Sequence, residues 1–333
     1  IYTSDVSSAA SDVYKRQVHT RSIAENPEAE LALVVDPIEA AASALGSEHG
    51  VPWSLDPEDA FSDASIDAVV IGTPTNTHVD MLLRAVDADK KILLEKPIDL
   101  DLDRIDAAWA AIEPKAPFVM LGFCRRFDPS FREVRQRVAE GEIGPIRSLR
   151  ITSRDPAPPP AAYLAVSGGM FKDMTVHDFD MARYQLGDIV SVHAMGSANG
   201  EAAFVDAGDH AQAVLTMQAA SGALCTIVNS RSCAYGYDQR LEAFGDAGSL
   251  EAGNWTSTTV RAHSASHTEA AGPVLNFFLE RYMLAFREEL AEFIAAIDED
   301  REPAVGYTDG RAAIVLAEAA NESVATGRTV SVA

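Results

Sequence analysis

The fold is decided by one stretch, IDAVVIGTPTNTHVDMLLRAVDADKKILLEKP, which runs from Ile66 to Pro97. It opens with the apolar run IDAVVIG, which predicts a buried strand. A helical pattern follows, and KILLE then predicts a second buried strand. Two buried strands joined by a helix of this length indicate parallel pairing in a sheet that helices cover on both faces.

The same alternation extends on both sides of this stretch. Further buried strands are predicted at LALVVD (Leu31–Asp36) and FVMLGF (Phe118–Phe123), with helical segments between them. We therefore predict an α/β protein whose N-terminal domain, residues 18–122, contains a Rossmann-type parallel sheet.

From residue 123 onward the pattern changes to short strand-like runs at close spacing, which predict a mostly antiparallel sheet. One continuous helix is predicted over GGMFKDMTVHDFDMARYQLG (Gly168–Gly187), and two long helices near the C-terminus. We expect a second, α+β domain over residues 123–333 that binds substrate and mediates oligomerisation.

Composition limits the classes of partner. The 333-residue chain has a formal net charge of −23, which disfavours nucleic acid because phosphate binding needs a basic face. It contains no apolar run long enough for a membrane span and no recognisable secretory signal. Its three cysteines have neither disulfide nor metal-site spacing, so we predict reduced thiols in the core of a cytoplasmic protein.

The N-terminal segment IYTSDVSSAASDVYKRQ (Ile1–Gln17) lacks the apolar run of a buried strand, and we predict that residues 1–17 are foreign to the protein. No glycine precedes Gly46. A dinucleotide-binding fold has a first strand and a GxGxxG turn about twenty residues before an acid such as Asp36. The first strand and glycine loop are therefore predicted to be missing or replaced. The alternative is a protein that never bound a dinucleotide.

Asp36 is the first candidate cofactor residue. A carboxylate at the end of the second strand can accept hydrogen bonds from the adenosine ribose hydroxyls. It repels the 2′-phosphate of NADP, and Pro37 adds no compensating positive charge, so NAD is the predicted cofactor. The alternative is that Asp36 only caps the next helix.

The loop after the strand IDAVVIG supplies further candidates. Ligands of open α/β sheets bind beyond the carboxyl ends of strands, so Thr73, Pro74, Asn76 and His78 are predicted to contact the nicotinamide side of NAD. An ordinary strand-to-helix loop in which Asn76 caps the helix explains the same residues equally well.

Lys96 ends the next strand, flanked by Glu95 and Pro97. At this rim its ammonium would hydrogen-bond a substrate hydroxyl and stabilise the developing alkoxide, and Glu95 would lie beside the cofactor. The alternative is a surface lysine paired with Glu95.

A third cluster lies at Asp173, His177 and Asp180, just after Gly168 and Gly169. On one helix, Asp173 and His177 would share a face, and the carboxylate would fix the tautomer of a general base. A surface ion pair or a helix-capping charge is the plainer alternative. We disfavour a metal site because no further ligands cluster with these residues.

These residues carry a family resemblance. The motifs are EKP at a strand end, RRFDPSF (Arg125–Phe131), GGMFKDMTVHDFDM, YGYDQRLEAFG (Tyr235–Gly245) and RYMLAFREELAEF. Together, over residues 18–330, they resemble the Gfo/Idh/MocA oxidoreductase family, and most of all its inositol-oxidising members. The departure from the family pattern is the absent glycine loop.

The resemblance implies NAD-dependent oxidation of a cyclic polyol, myo-inositol to 2-keto-myo-inositol, without a metal. Lys96, Asp173 and His177 match the family's catalytic set, and the roles of Lys96 and His177 as proton acceptor are interchangeable at this level. Arg126, Asp155 and Tyr235 are candidates for the polyol pocket.

Three alternatives stay open: an enzyme for scyllo-inositol or another sugar, a ligand-sensing regulator without turnover, and a damaged chain. A broad sheet with one face covered by helices leaves the other face for a partner, so we expect a homo-oligomer that associates through the second sheet. The resemblance implies a tetramer.

Overall fold

The structure is a computed structural model that describes residues 10–332. Residues 1–9 of the segment predicted to be foreign lie outside the described residues. The chain divides into two compact units. The first unit holds the described residues up to Phe127 together with Leu284–Val315, and the second holds Asp128–Met283 and the described residues from Leu316 onward.

The first unit alternates helices with parallel strands. Its elements up to Phe127 are α1 (Ala10–Glu25), β1 (Val34–Val35), α2 (Glu39–His49), β2 (Trp53–Ser54), α3 (Glu58–Phe61), β3 (Ala68–Ile71), α4 (Thr75–Asp87), β4 (Lys91–Glu95), α5 (Leu102–Ile112) and β5 (Val119–Gly122). Strands β3, β4 and β5 pair in parallel, as do β1 and β2. The predicted parallel sheet is confirmed. Within residues 10–332, no strand joins these two groups, and a doubly wound sheet has its first strand at that position.

The strands of the first unit form where apolar runs can be buried on both faces. All four residues of β5 are buried, and so are all but the first residue of β3 and of β4. Helix α4 begins at Thr75 and has Pro74 at its N-cap, without a side-chain cap. The expectation that Asn76 caps this helix is therefore wrong, since Asn76 lies exposed within the first turn.

The second unit is built on a seven-stranded sheet. The remaining elements of the chain are α6 (Pro129–Ala139), β6 (Ile146–Arg154), α7 (Ala161–Leu164), α8 (Gly169–Asp173), α9 (Val176–Leu186), β7 (Ile189–Ser197), α10 (Ala202–Ala207), β8 (Gln212–Ala219), β9 (Leu224–Ser230), β10 (Asp238–Gly245), β11 (Gly248–Ala252), β12 (Arg261–Ala262), β13 (Ala270–Ala271), α11 (Phe278–Asp298), α12 (Tyr307–Thr326) and β14 (Val330–Ser331). The sheet order is β11-β10-β6-β9-β8-β7-β14. Only the β6–β9 pair in it is parallel, so the predicted mostly antiparallel sheet is confirmed.

The C-terminal helices divide between the units in a way that the sequence pattern does not indicate. The predicted second domain covers residues 123–333, whereas Leu284–Val315 belongs to the first unit. There the backbone N–H of Leu121, in β5, donates to the carbonyl of Val305 at 3.1 Å. The ring of Tyr307 stacks on Trp109, with 4.8 Å between the centroids.

The continuous helix predicted over Gly168–Gly187 is wrong, because the structure breaks it after Asp173 and restarts it at Val176. The amides of Met174 and Thr175 both donate to the carbonyl of Met170 at 2.9 Å. The hydroxyl of Thr175 donates to Oδ1 of Asn229, in β9, at 2.7 Å. This contact with the sheet holds the chain at the break.

A buried ion pair fixes the start of the second unit. Asp128 caps α6, accepting hydrogen bonds from the amides of Ser130 and Phe131 at 3.1 Å. Its carboxylate also accepts hydrogen bonds from both terminal nitrogens of Arg281, and neither residue is more than 2% exposed. The Arg281 guanidinium lies 4.5 Å from the ring centroid of Trp255.

We predict that Asp128→Ala lowers the free energy of unfolding by about 3–5 kcal/mol, because it leaves Arg281 charged, buried and without its carboxylate. Asp246→Ala, which removes the partner of the exposed Arg147, is the matched control and should cost about 1 kcal/mol or less. Urea unfolding of both variants measures the difference, and equal losses would contradict the assignment.

Candidate active site

Lys96 follows β4 directly, and its side chain is only 8% exposed. Glu95 is also buried; its Oε1 lies 2.7 Å from Nε2 of His19, and its Oε2 accepts the backbone N–H of Lys96 at 3.2 Å. The alternative of a surface lysine paired with Glu95 is therefore wrong. Burial of an ammonium group at the carboxyl end of a parallel strand is instead typical of a lysine with a function.

His78 connects the loops that follow β3 and β4. Its Nδ1 lies 2.6 Å from the carbonyl oxygen of Pro97, and its Nε2 lies 2.8 Å from that of Thr73. The ring is 1% exposed. Both contacts are hydrogen bonds only when both nitrogens carry hydrogen, since a neutral imidazole has a single N–H. His78 therefore lies between the loops that follow β3 and β4, next to the peptide after Lys96, and its contact with the cofactor stays a prediction.

Asp36 directly follows β1 and is 2% exposed. Its Oδ1 accepts the amide of Ile38 at 2.9 Å, in the turn before α2. This bond resembles the capping alternative, although Ile38 rather than Asp36 is the N-cap residue. The hydrogen bond to ribose stays a prediction. Thr73 is buried and accepts the hydroxyl of Thr77 at 2.8 Å, whereas Pro37 is exposed.

The residues present fit a dinucleotide in part. A buried carboxylate directly follows β1, and Lys96 directly follows β4, as the ribose and nicotinamide ends of NAD require. The pyrophosphate normally rests on the N–H groups of a glycine-rich turn. The sequence has no glycine before Gly46, so this chain offers no such turn ahead of Asp36.

In the second unit, Asp173 ends α8 and is held from two sides. Its Oδ1 accepts the hydroxyl of Tyr163, in α7, at 2.8 Å. Its Oδ2 accepts Nη1 of Arg231, which directly follows β9, at 2.8 Å. Two partners from different elements therefore orient this carboxylate.

Arg231 also brings Asp155 to the cluster. Asp155 follows β6, the parallel neighbour of β9, and its Oδ2 lies 3.9 Å from Nη1 of Arg231. Burial opposes the charged form of Arg231, but the carboxylates of Asp173 and Asp155 outweigh it and raise its pKa. Two of the predicted site residues, Asp155 and Asp173, thus lie on one buried arginine.

The rest of the VHDFD motif divides between structural and predicted chemical roles. Asp178 is fully buried and accepts hydrogen bonds from Ser153 at 2.5 Å and Asn229 at 2.7 Å, which fastens α9 to the sheet. Asp180 is also buried. His177 is the second residue of α9 and is partly buried. Because the helix breaks between Asp173 and His177, the i, i+4 argument for their pairing fails, and the pairing itself stays a prediction.

Two candidates for the polyol pocket have internal partners. Arg126, in the first unit, places Nη2 3.0 Å from Oδ1 of Asp309 and donates from Nη1 to the carbonyl of Ala304 at 3.2 Å. Tyr235, in the second unit, donates to Asp238 at 2.6 Å. Burial and that hydrogen bond raise the pKa of Tyr235. Substrate contact by either residue stays a prediction.

The described residues contain neither a metal-ion site nor a membrane-spanning helix. Between residues 10 and 332, no group of three or more His, Cys, Asp or Glu side chains is placed to hold a metal ion. No helix in that range is long and apolar enough to cross a membrane.

Comparison with known proteins matches two family models to the chain. Residues 13–123 match the model described as oxidoreductase family, NAD-binding Rossmann fold, and residues 131–251 match the GFO/IDH/MocA C-terminal domain. The inositol 2-dehydrogenase of Rhizobium meliloti (strain 1021) is 43% identical over 320 residues, which cover 95% of this chain and 96% of that protein. The chain belongs to the Gfo/Idh/MocA oxidoreductase family.

Solved structures of family members share the whole architecture. A myo-inositol dehydrogenase from Corynebacterium glutamicum ATCC 13032 is 45% identical, with a TM-score of 0.94 over 100% of this chain and 99% of that one. A scyllo-inositol dehydrogenase from Lactobacillus casei, solved with bound NAD(H) and scyllo-inositol, is 28% identical, with a TM-score of 0.87 over 99% and 97% of the two chains. The predicted family and fold class are confirmed.

The sequence of this Gfo/Idh/MocA protein did not reveal His19 beside Glu95 in the first unit, or Tyr163 and Arg231 beside Asp173 in the second. Arg231 had a usable signal, because it ends the run ALCTIVNSR just as Asp155 ends the run IRSLRITSRD. Parallel pairing of those two strands places their ends together, but the sequence pattern does not show that this pair is parallel.

We predict that the stability of the protein depends on pH through Asp238. This carboxylate accepts hydrogen bonds from Tyr235, Arg154, Arg240 and Asn254. Burial opposes ionisation, but the hydrogen bonds from Arg240, Tyr235 and Asn254 outweigh it and lower the pKa of Asp238. The pKa of an aspartate in the unfolded chain is about 3.9, so the stabilisation is fully present above that pH. It is lost as the pH falls through the lower folded-state pKa.

Asp238→Asn should therefore be less stable than the wild type at neutral pH, and the difference should narrow below about pH 4. Unfolding free energies measured between pH 7 and pH 3 check this. A difference that stays constant over that range would contradict it.

Proposed function

We propose that this Gfo/Idh/MocA protein oxidises one ring carbinol of myo-inositol to the ketone 2-keto-myo-inositol, with NAD as the oxidant. The observation that carries the substrate class is the match, along nearly the whole chain, to proteins named inositol and myo-inositol dehydrogenases. The buried Lys96 at the end of β4 supports the reaction type.

In the proposed reaction, His177 accepts the proton of the substrate hydroxyl as general base. Lys96 hydrogen-bonds the oxygen while negative charge develops on it. Asp173, held by Tyr163 and Arg231, supplies a fixed carboxylate that favours the protonated imidazole. Bound NAD supplies the acceptor for the hydride that leaves the carbinol carbon. An exchange of the roles of Lys96 and His177 gives the same products.

Asp36 supports NAD over NADP in this proposal. Its carboxylate is buried at the end of β1, where the 2′-phosphate of NADP would face a negative charge. Pro37 follows and adds no cation.

A related polyol is the second candidate substrate, since the Lactobacillus casei relative is a scyllo-inositol dehydrogenase. A sensing regulator is less well supported, because it does not need the lysine, aspartate and histidine of an acid–base set. Location in the cytoplasm is part of the proposal and is supported by three buried, free cysteines.

The N-terminal segment belongs to the proposal as well. We propose that residues 1–17 stand in place of the first strand and the glycine loop. A form in which Ile1–Gln17 is replaced by a strand and a GxGxxG turn should then bind NADH more tightly than the given chain. Titration of both forms with NADH tests this, and equal affinities would contradict it.

The test of function is NADH formation from NAD and myo-inositol, followed at 340 nm in both forms of the chain. We predict that Lys96→Ala and His177→Ala each lower kcat by about 10²–10⁴-fold, as expected for loss of a proton-transfer group. Lys115→Ala and His263→Ala are the matched controls, since both side chains are exposed; Lys115 pairs with Asp87, and His263 lies 3.6 Å from Glu269.

Near-full turnover in both active-site variants would contradict the assigned roles. Wild-type protein that binds NADH but oxidises only another sugar would contradict the substrate. Turnover with NADP equal to that with NAD would contradict the role of Asp36.

We also propose that the chain forms a homo-oligomer, a tetramer, through the open face of its large sheet. Exposed apolar side chains lie in register there: Met195 is opposite Val214, and Leu224 and Phe244 flank Ser148. Met195, Leu224 and Phe244 are each at least half exposed, and clustered exposed apolar side chains are typical of a protein–protein interface.

Met195→Glu and Val214→Glu should therefore shift the protein to smaller species in sedimentation velocity, because they place like charges opposite each other across an interface. Val260→Glu, at an exposed apolar residue outside the sheet, is the control. Unchanged sedimentation of the sheet variants would contradict the proposed face.

A further inference from the structure

Two carboxylates lie against one arginine in the second unit. Arg231 is 3% exposed, with Nη1 at 2.8 Å from Asp173 and 3.9 Å from Asp155. Asp209 is the third carboxylate that acts on its charge. A single buried cation therefore balances a locally negative cluster, and like charges in such a cluster favour uptake of protons when the cation is removed.

Two of the three side-chain nitrogen atoms of Arg231 have no hydrogen-bond partner among the described residues. Among the described residues, its Nε and Nη2 are buried and have no hydrogen-bond partner, and neither has Oδ2 of Asp209. An arginine kept only for stability would be expected to satisfy these donors, since each unmet buried donor costs free energy. The one side-chain hydrogen bond that Arg231 does make, from Nη1, goes to the predicted catalytic carboxylate.

Asp173 is fixed by this bond together with a second one. Tyr163 binds Oδ1 and Arg231 binds Oδ2, and these partners come from α7 and from the end of β9. Two anchors on different oxygens set both the position and the plane of the carboxylate. A guanidinium 2.8 Å away also favours the charged form of the carboxylate, which the proposed reaction needs.

We propose that Arg231 is a positioning residue of the dehydrogenase reaction, which acts on turnover through Asp173 by keeping this carboxylate charged and oriented. The inference rests on the function proposed above. It assigns Arg231 no contact with substrate or cofactor.

A double-mutant cycle tests it, with Arg231→Gln, Asp173→Asn and the double variant assayed for NADH formation from NAD and myo-inositol. The full chain and its glycine-loop form are both measured. If Arg231 acts through Asp173, Arg231→Gln lowers kcat by about tenfold or more when Asp173 is present, the size expected for coupled neighbours. In the Asp173→Asn background the same change lowers kcat by less than about twofold.

Two further variants separate the effect of the Arg231 charge from that of an unrelated arginine in the same sheet. Arg231→Lys keeps the charge and should recover part of the lost kcat, with little change in KM. Arg150→Gln, which breaks an exposed pair with Glu242 in the same sheet, should have the same small effect in both backgrounds. If Arg231→Gln does not fold, as judged by circular dichroism, Arg231→Lys takes its place in the cycle.

An equal loss of kcat in both backgrounds overturns the inference, because a merely structural arginine acts independently of Asp173. No polyol oxidation by the wild-type forms contradicts the proposed function itself, and the inference falls with it. These two failures are distinguished by the wild-type rate.

Discussion

The imidazole of His78 fixes the loop on which the proposed chemistry depends. It lies within hydrogen-bonding distance of two backbone carbonyls, those of Thr73 and Pro97, and is almost completely buried. Adjacent parallel strands end at the same edge of a sheet, so one ring can join the loops that follow both. The peptide beside Lys96 is thereby held to the end of β3, and Glu95 is held in turn by His19.

In the second unit, a charged side chain, Arg231, orients the proposed catalytic residue Asp173. The proposed reaction needs Asp173 as an ionised carboxylate in a defined orientation, and Arg231 lies against both Asp173 and Asp155. Among the described residues, two buried nitrogen atoms of Arg231 have no hydrogen-bond partner, which costs free energy. These unmet donors destabilise the region around the proposed acid–base set. Local strain of this kind is common where function sets the geometry.

Local pattern was enough to predict β1, β3, β4 and β5 of the first unit and the nature of both sheets, but not β2 or α3. The runs IDAVVIG and KILLE are apolar because β3 and β4 are buried on both faces, and that property is visible in a single sequence. Family motifs supplied Lys96, Asp173 and His177 as candidates. Burial of Lys96 then removed the surface-lysine alternative.

Three of the failures share one physical cause, which is contact between residues far apart in the chain. The helix over Gly168–Gly187 breaks at Thr175, whose hydroxyl binds Asn229, 54 residues later. Arg231 escaped notice because its partner Asp173 lies 58 residues away. Leu284–Val315 joins the first unit through contacts such as that of Leu121 with Val305. Periodicity carries no information about such pairings.

The central claim is direct transfer of hydride from a ring carbinol of myo-inositol to NAD. The most direct measurement supplies myo-inositol deuterated at C2 and follows deuterium in the isolated NADH by mass spectrometry. The account predicts one deuterium at C4 of the nicotinamide in each NADH formed. NADH without deuterium, or no NADH from a form that binds the cofactor, would contradict it.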